Sequence, residues 1–182
     1  MFERTFKIIL LGDYAVGKTS ILNRFLQNEY NPEYIPTIST NILEKKFKFE
    51  NYLIRLMLWD TTGERELNDV RREFCANTHV CLIVYDICRL SSFKNIEEWY
   101  GILLDSINYK PIIWLVGNKI DLNNSRVVKK EEARKKAEEL TFKYIEVSAK
   151  TGENIRILFM SILKDLLKAR LNEVKRKLEV KV

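Results

Sequence analysis

The sequence predicts an α/β fold: a six-stranded sheet, mostly parallel, with one antiparallel edge strand. Three observations carry this reading. Short apolar runs alternate with helical periods along the 182 residues, the pattern of strand–helix units wound around a parallel sheet. Two of those runs, 80–85 and 112–116, are apolar throughout, as strands covered on both faces must be. Runs 41–49 and 52–59 are separated only by Glu50 and Asn51, close enough for an antiparallel hairpin.

Each element has its own sequence basis. Residues 6–11 form a short apolar run closed by Gly12, a buried strand. Ile21, Leu22, Phe25 and Leu26 recur at helical spacing over 18–27. In 41–49, Leu43, Phe47 and Phe49 alternate with Glu44, Lys46 and Lys48, a half-exposed strand. Its hairpin partner is 52–59. After strands 80–85 and 112–116 come helices over 91–107 and 129–140, then a last strand over 144–147. From Ile155, the residues Leu158, Phe159, Ile162, Leu163, Leu166 and Leu167 mark a long final helix. No repeat or linker interrupts the chain, so a single domain over residues 1–170 is expected, followed by a basic helical extension over 171–182.

Composition narrows the class. Six glycines and three prolines exclude collagen-like and low-complexity readings, which need both in excess. Hydrophobic residues at 46% provide for a sizeable core. The net charge of +6 is concentrated at the end, where residues 164–182 hold seven Lys/Arg against three Asp/Glu. No aromatics interleave that run, so nucleic acid is not an expected partner. Two readings stay open for it: a solvated helix face, or contact with an anionic partner or membrane surface. Cys75, Cys81 and Cys88 show no ligand spacing, and no disulfide is expected, which suits a cytoplasmic protein. No secretory signal or apolar window of spanning length is read. His79, the single histidine, precedes a core strand and reads as structural.

The chemistry begins at Gly12-Asp13-Tyr14-Ala15-Val16-Gly17-Lys18-Thr19, which matches G-x-x-x-x-G-K-[ST] between a predicted strand and a predicted helix. Glycine lets the backbone curl and aim successive N–H groups at phosphate oxygens, aided by the helix N-terminus. Lys18 reaches the β- and γ-phosphates, and Thr19 offers its hydroxyl to Mg²⁺. Asp60 ends the strand before it, at the height where open α/β sheets bind ligands, and supports the same cation through water. Gly63, in Asp60-Thr61-Thr62-Gly63, is a backbone donor for the γ-phosphate.

A second constellation reads the base. Asn118-Lys119-Ile120-Asp121 and Ser148-Ala149-Lys150 follow successive strands. The Asp121 carboxylate accepts two hydrogen bonds from guanine's N1–H and exocyclic amine, a pair adenine does not offer. Ala149 supplies a backbone N–H for guanine O6, and the stem of Lys119 lies along the ring.

With these motifs, and with Pro36-Thr37, Val84-Tyr85-Asp86-Ile87, Ser92-Phe93-Lys94-Asn95-Ile96, Trp99 and Arg126-Val127-Val128, the chain resembles a Ras-superfamily small GTPase from Phe6 to about Leu167, most closely the Rab branch. The resemblance implies a P-loop G domain with five flanking helices. It implies a molecular switch that binds GTP or GDP with Mg²⁺, hydrolyses GTP, and signals to effectors under exchange-factor and GTPase-activating proteins. It places Ser20 beside the phosphates, Tyr30 edgewise on the guanine and Tyr34 over the phosphates. Thr37 joins Thr19 and Asp60 on Mg²⁺ only with GTP, and switch loops span 28–40 and 61–77. A monomer is implied.

Four positions around the γ-phosphate depart from the family pattern. Tyr14 stands where Gly or Ser is usual, Thr62 where Ala is usual, Glu64 where Gln orients the attacking water, and Arg65 where an acidic residue follows. Among the expected catalytic residues Lys18, Thr37, Gly63 and Glu64, only Glu64 breaks the pattern. The expectation is intact GTP binding with slow hydrolysis; the alternative is a constitutively GTP-bound binding module. The end of the chain has no prenylation cysteine, so either the tail is cut short or no prenyl anchor is used.

Overall fold

The computed structural model describes residues 2–27, 41–49, 52–61 and 74–179. A six-stranded sheet comprises β1 (Phe2–Leu11), β2 (Asn41–Phe49), β3 (Tyr52–Asp60), β4 (Val80–Asp86), β5 (Ile112–Asn118) and β6 (Lys143–Glu146), in the order β2-β3-β1-β4-β5-β6. β2 runs antiparallel to β3 at the edge, and every other pairing is parallel. Among the described residues, these helices flank it: α1 (Lys18–Gln27), α2 (Leu90–Lys94), α3 (Ile96–Ser106), α4 (Lys130–Glu139) and α5 (Ile155–Glu179), with a 3-10 turn at Ile120–Ser125. The expected fold class is the observed one.

The apolar runs explain the layering. Every residue of β4 is buried, as are six of seven in β5. On β1, Ile8 and Leu10 face one core with Ile21 and Leu22 of α1 and Leu158 and Phe159 of α5. Ile9 and Leu11 face the other, with Trp99 and Leu103 of α3 and Ala133 and Ala137 of α4. The period-two alternation of a strand thus serves two cores at once. Phe25 stacks on Phe159 with ring centroids 3.7 Å apart, sealing α1 to α5. Cys81 is a core residue, and all three cysteines are free. The His79 ring meets Phe6 edge-on, and its Nδ1 accepts the Lys7 backbone N–H at 3.1 Å.

Several boundaries differ from those expected. β1 begins at Phe2 rather than residue 6 because β3 offers a pairing partner from Tyr52 onward, whatever the polarity of Glu3 and Arg4. β5 reaches Asn118 by pairing with Asp86. The final strand lies at 143–146 instead of 144–147, and α4 starts at Lys130. The helix expected over 91–107 is two helices meeting at Asn95. Gly117 lies inside β5, and a Cβ there would sit 2.6 Å from the Tyr85 hydroxyl. Its role is room for a buried ring. α5 continues as one helix to Glu179, and no helix among the described residues is long and apolar enough to cross a membrane.

Candidate functional site

The loop between β1 and α1 is turned inside out. Gly12, Ala15 and Gly17 have φ of 140°, 58° and 94°, and such alternation swings carbonyls to one side and N–H groups to the other. All five carbonyls from Gly12 to Val16 accept a side-chain donor. Lys18 Nζ donates to Gly12 O at 2.8 Å and Asp13 O at 3.1 Å. Arg89 donates to Tyr14 O at 2.5 Å, Lys119 Nζ to Ala15 O at 2.9 Å, and Asn118 Nδ2 to Val16 O at 2.9 Å. With those carbonyls engaged by side-chain donors, the loop has the backbone pattern of the cradle an anion needs. At Gly17, a Cβ would fall 2.3 Å from Asn118 Nδ2, so the absent side chain is what lets Asn118 reach Val16.

Lys18 is buried within this loop, and desolvation pushes its ammonium down to about 8 against the pull of Asp60 and Asp13. Asp60 at the tip of β3 is 1% exposed, and desolvation raises its carboxyl above the ordinary range, opposed by the Thr19 hydrogen bond and Lys18. Thr19 Oγ1 donates to Asp60 Oδ2 at 2.6 Å, while Asp60 Oδ1 is buried with no hydrogen-bond partner. A desolvated carboxylate oxygen and a hydroxyl side by side fit a divalent cation or its bound water. Thr61 is held by its hydroxyl to Leu10 O at 2.6 Å, which fixes the chain leaving β3.

The base-reading residues converge on the same end of the sheet. Asn118, at the end of β5, bridges two loops, because its Oδ1 also accepts the Ala149 N–H at 3.1 Å. Ala149 N–H, expected on guanine O6, therefore has an internal partner here. Lys119 adopts a left-handed φ of 73°, which turns its ammonium back to Ala15 and into a 2.7 Å ion pair with Asp86. Ser148 Oγ donates to Asp121 Oδ1 at 2.6 Å and accepts the Thr151 N–H at 3.0 Å, so the Asp121 carboxylate is oriented from below while remaining exposed. Arg24 of α1 ties the far loop down through Ala149 O at 2.9 Å and through Lys150 O.

Of the expected residues, Asp13 through Ser20, Asp60, Asn118, Lys119, Asp121 and Ser148 through Lys150 lie on the loops and strand tips at this end of the sheet. The Asp13 carboxylate accepts hydrogen bonds from Asn95 Nδ2 and Trp99 Nε1, both at 2.8 Å. Tyr14 is half exposed, its ring standing at the surface. Tyr30, Tyr34, Thr37, Thr62, Gly63, Glu64 and Arg65 lie outside the described residues. Asp86, Arg89 and Arg24 escaped the sequence reading. Asp86 had a usable signal: like Asp60, it is an acid ending an apolar strand.

A family model, the Ras family, matches residues 7–168, which takes in every site element above.

Proposed function

The chain belongs to the Ras family, a family of nucleotide-binding switches of the small GTPase type, and we propose that it is a Rab-like member acting on guanine nucleotides with Mg²⁺. The observation that carries this is the shared scaffold of phosphate and base sites: Asn118 and Lys119 cap the phosphate loop at Val16 and Ala15 from within the base-reading segment. The two halves of one nucleotide are thereby held at fixed separation. Inward N–H groups and Lys18 bind the phosphates, Asp121 selects guanine, and Ser148 keeps Asp121 aimed. Mg²⁺, when bound, neutralises charge between the outer phosphates; Thr19, Asp60 and Thr37 would hold it. Residues 28–40 and 61–77 then report the γ-phosphate to effectors and regulators. Residues 1–170 act as the switch domain, a monomer in the cytoplasm, with the basic extension at 171–182 as its contact for a membrane surface and trafficking as its setting.

Selectivity tests the reading. Wild type is expected to bind GTP and GDP and to reject ATP. Asp121→Ala is expected to weaken GTP by at least ~10³-fold, the scale on which a site built to pair a polar edge loses its discrimination. Equal GTP and ATP binding by the wild type would overturn it.

Hydrolysis is slow in this proposal. Glu64 replaces the group that orients water, and an ionised carboxylate is repelled by phosphate oxygens. In single-turnover assays Glu64→Gln is expected to hydrolyse GTP ~10-fold or more faster, within the range of general-base and positioning effects. A fast wild type slowed by that change would sink this account. The second reading, a binding module locked with GTP, is favoured by the exposed Tyr14 ring at the loop where an activating protein would reach in. GTP copurifying with the protein supports it, and copurifying GDP speaks for turnover.

A further inference from the structure

The break between α2 and α3 brings two donors onto one carboxylate. Asn95 sits at that junction, in the N-cap position of α3, yet makes no side-chain capping bond, although capping is what asparagine ordinarily does there. Its Nδ2 donates instead to Asp13 Oδ2 at 2.8 Å. Four residues on, a spacing that shares one helix face, Trp99 Nε1 donates to Asp13 Oδ1 at 2.8 Å. The indole is 3% exposed and packed in the core behind α3. Arg89, one residue before α2, adds its bond to Tyr14 O. Ser92 locks this segment onto β4, accepting the Asp86 N–H at 3.0 Å and donating to Arg89 O at 2.7 Å.

A carboxylate within a phosphate-binding loop repels the ligand unless it is turned away and held. Here both oxygens are held, by donors rooted in the core. We propose that Asp13 is a positioning residue, and that Asn95 and Trp99 are the brace that keeps the phosphate loop in its binding shape with that charge outside. The proposal rests on the guanine-nucleotide reading. It makes the α2–α3 junction a determinant of how long the nucleotide stays.

The test is GDP dissociation at fixed Mg²⁺ in wild type, Asp13→Asn, Trp99→Phe and the double variant Asp13→Asn/Asn95→Asp. In Asp13→Asn the new NH₂ faces one of the two donors, so one bond becomes a donor–donor contact. Release is expected to be ~10-fold faster in Asp13→Asn and several-fold faster in Trp99→Phe, the scale of one lost charge-assisted hydrogen bond. The double variant restores complementarity: the carboxylate now at 95 accepts from the new amide, whose oxygen still accepts from Trp99. Its release rate is expected within ~3-fold of wild type. The Trp99 indole ¹H–¹⁵N resonance, assigned by its loss in Trp99→Phe, should shift in Asp13→Asn and return in the double variant. Wild-type release from both single variants overturns the brace, as does a double variant no slower than Asp13→Asn. A wild type that binds no GDP instead overturns the nucleotide reading, a separate result.

Discussion

Asn118→Ala is expected to cost the protein both nucleotide and stability. The buried amide satisfies Val16 O and Ala149 N–H at once, and alanine leaves each without its partner. An unsatisfied buried backbone group costs about 1–3 kcal/mol, so with two of them unfolding free energy should fall by about 2–6 kcal/mol. The larger effect is on binding. Without the bridge, the phosphate loop and the 148–150 loop lose their common anchor, and the two ends of the ligand site are no longer held in register. GDP affinity is expected to drop by at least ~100-fold, about 2.7 kcal/mol. Isothermal titration on the purified variant, beside a denaturant melt, separates the two losses. Near-wild-type affinity in a destabilised variant would show that Asn118 supports the fold and not the site.

Gly12→Ala acts on the fold directly. The backbone there has φ of 140°, and a Cβ would lie 2.2 Å from the Val84 carbonyl oxygen of β4. That oxygen belongs to a strand buried along its whole length, so neither partner has space to retreat. The substitution combines a strained backbone with overpacking between β1 and β4, and a loss of at least ~4 kcal/mol is expected, placing it among the exceptional substitutions. For a chain of this size that is a melting temperature lower by ~10 °C or more. Gly101→Ala is the matched control, since nothing lies within 4 Å of a Cβ in that position and helix propensity favours alanine. It should melt at or above the wild-type temperature. Equal melting of the two variants would refute the packing account.

Much of the site was legible because its motifs are local. Gly12 through Thr19, Asn118 through Asp121 and Ser148 through Lys150 each occupy one turn after one strand, and strand tips in such a sheet share a common height. What escaped was every group acting from another segment. Arg89 caps Tyr14 O from the start of α2, and Asp86 fixes Lys119 from the end of β4. Trp99 stands in the sequence as one of the residues that carry the family resemblance, but the direction of its Nε1–H is not legible there. The helix break at Asn95 was equally hidden: 91–107 keeps its apolar spacing across the junction, so periodicity alone sees one helix.

The alternation of strands and helices, the two-faced burial of the central strands, and the residue types at the phosphate and base loops are all present in the linear order of residues. These follow from apolar period and short-range spacing, which a chain carries in its own order. Long-range packing sets the rest: how far β1 extends, why Gly117 is bare, and which side chain caps each carbonyl of the phosphate loop. Those outcomes depend on where distant segments place their donors and their bulk. The clearest case is Asp13, whose carboxylate is held by Asn95 and Trp99, more than eighty residues away in the chain.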